Sequence, residues 1–113
     1  MNDGIMYNQG DVILVPFPFS DLRGVKKRPA LIISNKKVNN GEDRICCLIT
    51  SNPKNKGLLI HQEYFKKGKL PFASWVKPQR IFSVDENIIL RKICEVNKVF
   101  HQEVFSEIVS FLK

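Results

Sequence analysis

The pattern of apolar and polar positions divides the chain in two. The first three quarters carry apolar residues in short runs of strand length. Asp11 to Phe17 is apolar and β-branched, closed by Pro16 and Pro18, and predicts a first strand. Phe19 to Lys27, with Ser20, Asp21 and Gly24, reads as a polar loop. Pro29 to Ser34 and Arg44 to Thr50 predict two further strands, separated by the turn signal Asn39-Asn40-Gly41. Ser51, Asn52 and Pro53 stop the third run. Leu58 to Gln62 predicts a short fourth strand, and Lys66 to Pro71 reads as a basic loop. Ala73 to Val84 supplies one or two more strands, interrupted at Pro78.

After Asn97 the period changes. Val99, Phe100, Val104, Phe105, Ile108, Val109 and Leu112 recur at helical spacing, opposite His101, Gln102, Glu103, Ser106 and Glu107. Asn97 stands where an N-cap belongs, so a helix is predicted over Lys98 to Leu112. Five or six short strands followed by one helix, in 113 residues, predict a single mostly-β domain over 1–113: a small barrel or curled sheet with the helix over one opening. The longest uncharged apolar stretch, Val12 to Phe19, is far short of the ~20 residues of a spanning helix, so no membrane segment is expected. The first residues lack a basic-then-apolar pattern, so no secretory signal is expected either.

Charge adds to this picture. The chain has 18 Lys+Arg against 11 Asp+Glu, a net +7. Arg23 to Arg80 holds 14 basic and 3 acidic residues, a local +11, while the remainder is −4. A basic middle between acidic flanks fits a polyanionic partner, either nucleic acid or an acidic protein segment; it also fits a lysine-rich solvated surface. Three cysteines cannot all pair within one chain, and none has C-x-x-C spacing, so neither a metal site nor a cofactor is expected. Free thiols packed as small apolar residues in a reducing cytoplasm fit this usage, with Cys46 and Cys47 on opposite faces of one strand.

The candidate chemistry starts at Gly24 to Pro29, where Arg23, Lys26, Lys27 and Arg28 gather at a strand start. Pro29 restricts Arg28 to extended backbone, and the guanidinium there either forks a phosphate or pairs with a carboxylate such as Asp21. Thr50 and Ser51 end the third strand, where two hydroxyls either donate to phosphate oxygens or cap a turn. His61 and His101 are possible proton-transfer groups, or simply surface residues. Phe17, Phe19 and Trp75 either stack on bases or pack inward.

Gly10-Asp11 with the Val-Pro-Phe-Pro-Phe run, Lys27-Arg28-Pro29-Ala30-Leu31 and Leu48-Ile49-Thr50-Ser51 together resemble the PemK/MazF family, the toxins of type II toxin–antitoxin systems. Ser74-Trp75-Val76-Lys77-Pro78-Gln79 and Ile93-Cys94-Glu95-Val96 follow the same order, so the resemblance covers nearly the whole chain. It implies an SH3-like barrel with a C-terminal helix, a homodimer, metal-independent cleavage of single-stranded RNA, and an acidic antitoxin as protein partner. It implies Arg28 and Thr50 as catalytic residues; the cation cluster and strand-end hydroxyls add Lys26, Lys27 and Ser51, and the next strand adds Lys77 and Gln79, as candidates for RNA binding. Two positions depart from the family pattern. Lys77 and Gln79 stand where many relatives have arginine and aspartate, and Cys94 where a glycine is usual. The same barrel also admits a non-catalytic binder of RNA, or of a protein target, as the CcdB toxins of this fold bind DNA gyrase. The joint presence of Arg28 and Thr50 favours cleavage. Nothing in the central charge supports an adaptor for proline-rich peptides.

Overall fold

The computed structural model describes residues 6–18, 25–54 and 57–113. Seven strands form one sheet: β1 (Asp11–Pro18), β2 (Val25–Ile32), β3 (Asp43–Thr50), β4 (Leu58–Leu59), β5 (Phe65–Lys67), β6 (Trp75–Asp85) and β7 (Arg91–Val96). The spatial order is β4-β6-β3-β2-β1-β7-β5 and every pairing is antiparallel. The sheet curls into a half-barrel, as the short runs predict. A single turn of helix, α1 (Lys36–Asn39), links β2 to β3, and α2 (Lys98–Ser110) ends the chain. The Asn97 side chain accepts the Phe100 N–H at 3.0 Å, so the predicted cap is made.

The strand count exceeds the expected five or six because β5 and β7 carry weak patterns. β5 is too short to show alternation, and β7 opens on two cations, Arg91 and Lys92. β2 begins at Val25 rather than Pro29, since Lys26 and Lys27 pair with Phe17 and Pro16 on β1 and extend their charges to solvent from the sheet's end. β6 runs through Pro78 instead of stopping there. Between Lys77↔Leu48 and Ile81↔Cys47 the register shifts, leaving Pro78, Gln79 and Arg80 as a bulge. A proline cannot donate to the ladder, and a bulge is where a strand accommodates one.

Alternation gives the sheet two apolar faces. One buries Val12, Leu31, Cys47, Ile49 and Val76 under Phe100 and Val104 of α2. The other gathers Tyr7, Ile13, Val15, Ala30, Ile32 and Cys46. Cys46 and Cys47 thus face opposite ways, as expected, and all three cysteines are buried free thiols. Burial pushes Cys46 and Cys47 up to about 12 and Cys94 up to about 11.

Two polar anchors hold the strand ends. Gly10 has φ 92°, a left-handed conformation that favours glycine, and it bonds both neighbours: its N–H to Ile32 O, its carbonyl to Val96 N–H, each at 2.9 Å. Beside it Asp11, 3% exposed, accepts the Asn8 N–H at 2.8 Å and an ion pair from Lys92 at 3.2 Å. Desolvation raises its pKa, against the lowering effect of those two donors. The Gly10-Asp11 motif is therefore a structural joint between β1, β2 and β7. The second anchor is Arg44, 1% exposed, which donates to the carbonyls of Tyr7, Gly41 and Asp43 and pairs with Glu86 at 3.1 Å.

Candidate nucleic-acid interface

The site is built where β2 begins and β3 ends. Arg28 lies opposite Val15 on β1, which faces the second apolar cluster. The ladder between β2 and β3 closes on Ala30↔Leu48. Arg28 and Thr50 each lie two residues beyond that pair, past the end of the ladder. Period-2 alternation gives them the same face. Across β3 from Thr50 stands Trp75, and across from Leu48 stands Lys77, so these two share that face as well.

Thr50 is 6% exposed, and its Oγ1 accepts the Asn52 N–H at 3.1 Å. The turn-capping role is thus present. A hydroxyl that accepts one bond still has its own hydrogen to donate, so capping does not remove it as a phosphate ligand.

A cleft of ≈ 770 Å³ opens at the same end of the sheet; Lys26, Lys27, Arg28 and Ser51 line it, and Thr50, which alternates with Ile49 and Ser51, does not. The fourth cation of its lining among the described residues is Arg91, on β7. Arg91 pairs with Leu14, and Leu14 with Pro29, so a row across three strands carries the guanidinium to the cleft. The floor is apolar, with Leu14, Pro29, Ile49 and Ile93, and one rim is Leu70, Pro71 and Phe72. Among the described residues no carboxylate lines it. Four cations over an apolar floor suit a chain of phosphates with bases attached.

The other predicted residues lie elsewhere. Lys77 is half-buried and does not line the cleft. Gln79 is exposed on the β6 bulge and lines a different cavity with Leu58, Glu107 and Phe111. His61 is exposed, its ring 5.9 Å from that of Tyr64. His101 sets Nε2 3.3 Å from the Ile33 carbonyl at the start of α2. Neither histidine lines the cleft. Phe17 packs edge-on against Phe82 at 5.0 Å, whereas Phe19 and Asp21 lie outside the described residues. Among the described residues no group of three or more His, Cys, Asp or Glu side chains is arranged to hold a metal ion, and no helix is long and apolar enough to cross a membrane.

Sequence reasoning missed Arg91 and Phe72. Arg91 carried no signal, because β7 does not read as a strand. Phe72 had one: an aromatic closely following a lysine-rich loop, which is the interleaving that single-stranded nucleic acid sites use.

Comparisons with known proteins bear on the family and the fold. A family model described as PemK-like, MazF-like toxin of type II toxin-antitoxin system matches residues 8–112. No curated protein matches the sequence. Among solved structures, MazF from Deinococcus radiodurans superposes with a TM-score of 0.71 at 20% identity, covering 96% of this chain and 97% of that one. An endoribonuclease from a mycobacterial species gives 0.72 at 16% identity, covering 96% and 92%. A mycobacterial endoribonuclease in complex with its cognate antitoxin gives 0.65 at 18% identity, covering 98% and 93%. At these identities the likeness is one of fold.

Proposed function

Because the chain belongs to the PemK-like, MazF-like toxins of type II toxin–antitoxin systems, we propose that it is an endoribonuclease cutting single-stranded RNA without a metal ion. The observation that supports this reading is the cleft lined by Lys26, Lys27, Arg28, Ser51 and Arg91, beside the end of β3 that carries Thr50.

RNA contains its own nucleophile. The 2′-hydroxyl oxygen attacks the adjacent phosphorus, the bond to the 5′-oxygen breaks, and a 2′,3′-cyclic phosphate and a 5′-hydroxyl remain. The 2′-hydroxyl proton goes to solvent, and the leaving oxygen takes one from solvent. What the protein has to supply is stabilisation of the extra negative charge on the phosphorane. Arg28 does this as a positioned cation, and the Thr50 hydroxyl donates to a non-bridging oxygen. One such donor is worth about 3 kcal/mol, or about a hundredfold in rate. Among the described residues the cleft lining has neither carboxylate nor imidazole, and this reading rests on electrostatic stabilisation. Lys26, Lys27 and Ser51 hold the flanking phosphates. Lys77 touches RNA only where the strand continues past the cleft, onto the face it shares with Thr50, and Gln79 only where the strand reaches the β6 bulge.

The remaining partners follow from charge and family. The central +11 suits an acidic segment of an antitoxin that competes with RNA for the same cations. Two copies form a homodimer, and the protein works in the cytoplasm, where its substrate is.

The test is cleavage of a long RNA by purified protein. Arg28→Ala is expected to abolish cleavage and Thr50→Ala to reduce it, with unchanged circular dichroism, and EDTA to have no effect. Full activity in folded Arg28→Ala would refute the assignment. Inhibition by EDTA would refute the metal-independent reading. A wild-type protein that binds RNA without cutting it would leave a binding module in place of an enzyme.

A further inference from the structure

The segment between β5 and β6 ends in Leu70-Pro71-Phe72-Ala73-Ser74, and its backbone is fixed at several points. Leu70 is half-buried against the larger core cluster. Pro71 has a locked φ. Ser74 is buried; its hydroxyl donates to the Phe72 carbonyl at 2.8 Å, and its own carbonyl accepts the Ile60 N–H at 2.9 Å. Between these anchors the Phe72 ring is 73% exposed. A single exposed apolar side chain is ordinary. A large ring held in water by an anchored backbone, at the wall of a cation-lined cleft, has a more specific use.

Phe72, with Leu70 and Pro71, is the wall shared by that cleft and a second cavity of ≈ 420 Å³. On one side stand Lys26, Lys27, Arg28 and Arg91; on the other stand His61, Gln62 and Lys69. Among the described residues neither lining contains a carboxylate. A polyanion crossing from one cavity to the other must pass over this ring.

We propose that Phe72 is a base-stacking residue of the RNA path. The phosphates follow the cations, and the base of a nucleotide leaving the cleft lies on the phenyl ring. Its polar edge points to Gln62 and His61 in the second cavity. This rests on RNA being the substrate, as proposed above. Stacking is worth about 1–3 kcal/mol per base and tolerates any base, so whatever preference exists at this position comes from the edge groups of the second cavity. Because the backbone is already anchored, little ordering entropy offsets that gain.

The experiment compares wild type, Phe72→Ala, Phe72→Leu and Phe72→Tyr. The probe is a fluorescein-labelled single-stranded RNA of randomised sequence, about 12 nucleotides long, every 2′-hydroxyl methylated so that it cannot be cut. Anisotropy titrations at several salt concentrations give affinity and salt slope. Phe72→Ala and Phe72→Leu are expected to bind roughly 5- to 100-fold more weakly with an unchanged slope, and Phe72→Tyr within about twofold of wild type. Wild-type affinity in Phe72→Ala, or in Phe72→Leu, would overturn the stacking assignment while leaving RNA as the substrate. A wild-type protein that does not bind the probe would overturn the RNA reading, and this proposal with it. Sedimentation supplies the last check: if Phe72→Ala converts a two-chain species to one chain, the ring belongs to an interface between copies and the proposal is wrong.

Discussion

Arg91→Ala tests the cleft through a residue that no sequence motif marks. Each phosphate that a cation neutralises on a single strand contributes about −0.7 to the slope of log K against log salt. Among the described residues four cations line the cleft, and their full occupancy gives a slope of about −2.8. Between ~50 and ~200 mM salt, affinity then falls about 50-fold. Removing Arg91 reduces the slope to about −2.1 and the loss to about 20-fold. The change is uniform across RNA sequences, because a phosphate contact carries no base information. The assay is the anisotropy titration with uncleavable RNA at four or more salt concentrations. Lys36→Ala is the control: Lys36 is exposed on α1 and outside the cleft lining, so its removal leaves the slope unchanged. An Arg91→Ala protein with the wild-type slope would refute the reasoning. So would an equal fall in Lys36→Ala, which would make binding a matter of total charge rather than of this cleft.

Two further outcomes concern the scaffold. Arg44→Ala leaves the Tyr7, Gly41 and Asp43 carbonyls and the Glu86 carboxylate without their donor. Losing one partner of a buried ion pair costs about 3–5 kcal/mol; Glu86 is 29% exposed and can rehydrate, which puts the cost near ~3 kcal/mol. A fall in Tm of roughly 10 °C or more in calorimetry is expected, and a fall of under ~3 °C would mean that the network contributes little. The thiols give a pH signature. With Cys46 and Cys47 held near 12, above an ordinary 9.0, the unfolded chain loses these protons first as pH rises. Stability is therefore full below about 9 and falls through the window up to about 12. At pH 8 a thiol reagent should label no cysteine until denaturant is added; rapid labelling of the folded protein would contradict the burial.

The parts of the molecule that could be read from the sequence are those where local period and burial coincide. β1 and β3 have unbroken apolar runs, α2 has an apolar stripe with its capping asparagine, and Cys46 and Cys47 take opposite faces because successive strand residues must. β7 was not legible, because its first residues face the solvent and the cleft, and period-2 reasoning looks for residues that do not. Arg44 looked like the polar start of a strand. Its burial depends on Glu86, 42 residues later, and a contact of that span leaves no local trace. The surroundings of Gln79 were not legible for a related reason. Its place in a linear motif beside Lys77 implied a shared surface, yet the bulge at Pro78 breaks the alternation between them.

That bulge bears on how the site works. Leu48 pairs with Lys77 and Cys47 with Ile81, so the excess residues leave the sheet just past the strand segment that faces Thr50. The segment from Trp75 to Lys77 stays in register with β3 and keeps its face aligned with Arg28 and Thr50, while Gln79 is carried into the cavity beside Glu107 and Phe111 near the end of α2. An acid introduced at Gln79 would therefore sit by Glu107, a like charge, and away from the cleft. Gln79→Asp is accordingly expected to change single-turnover cleavage by less than about threefold, far below the ~100-fold or more that a proton-transfer group contributes. A Gln79→Asp enzyme faster by that larger factor, with a new pH dependence in the carboxylate range, would show that the bulge rearranges when RNA binds and that the missing acid belonged to the reaction after all.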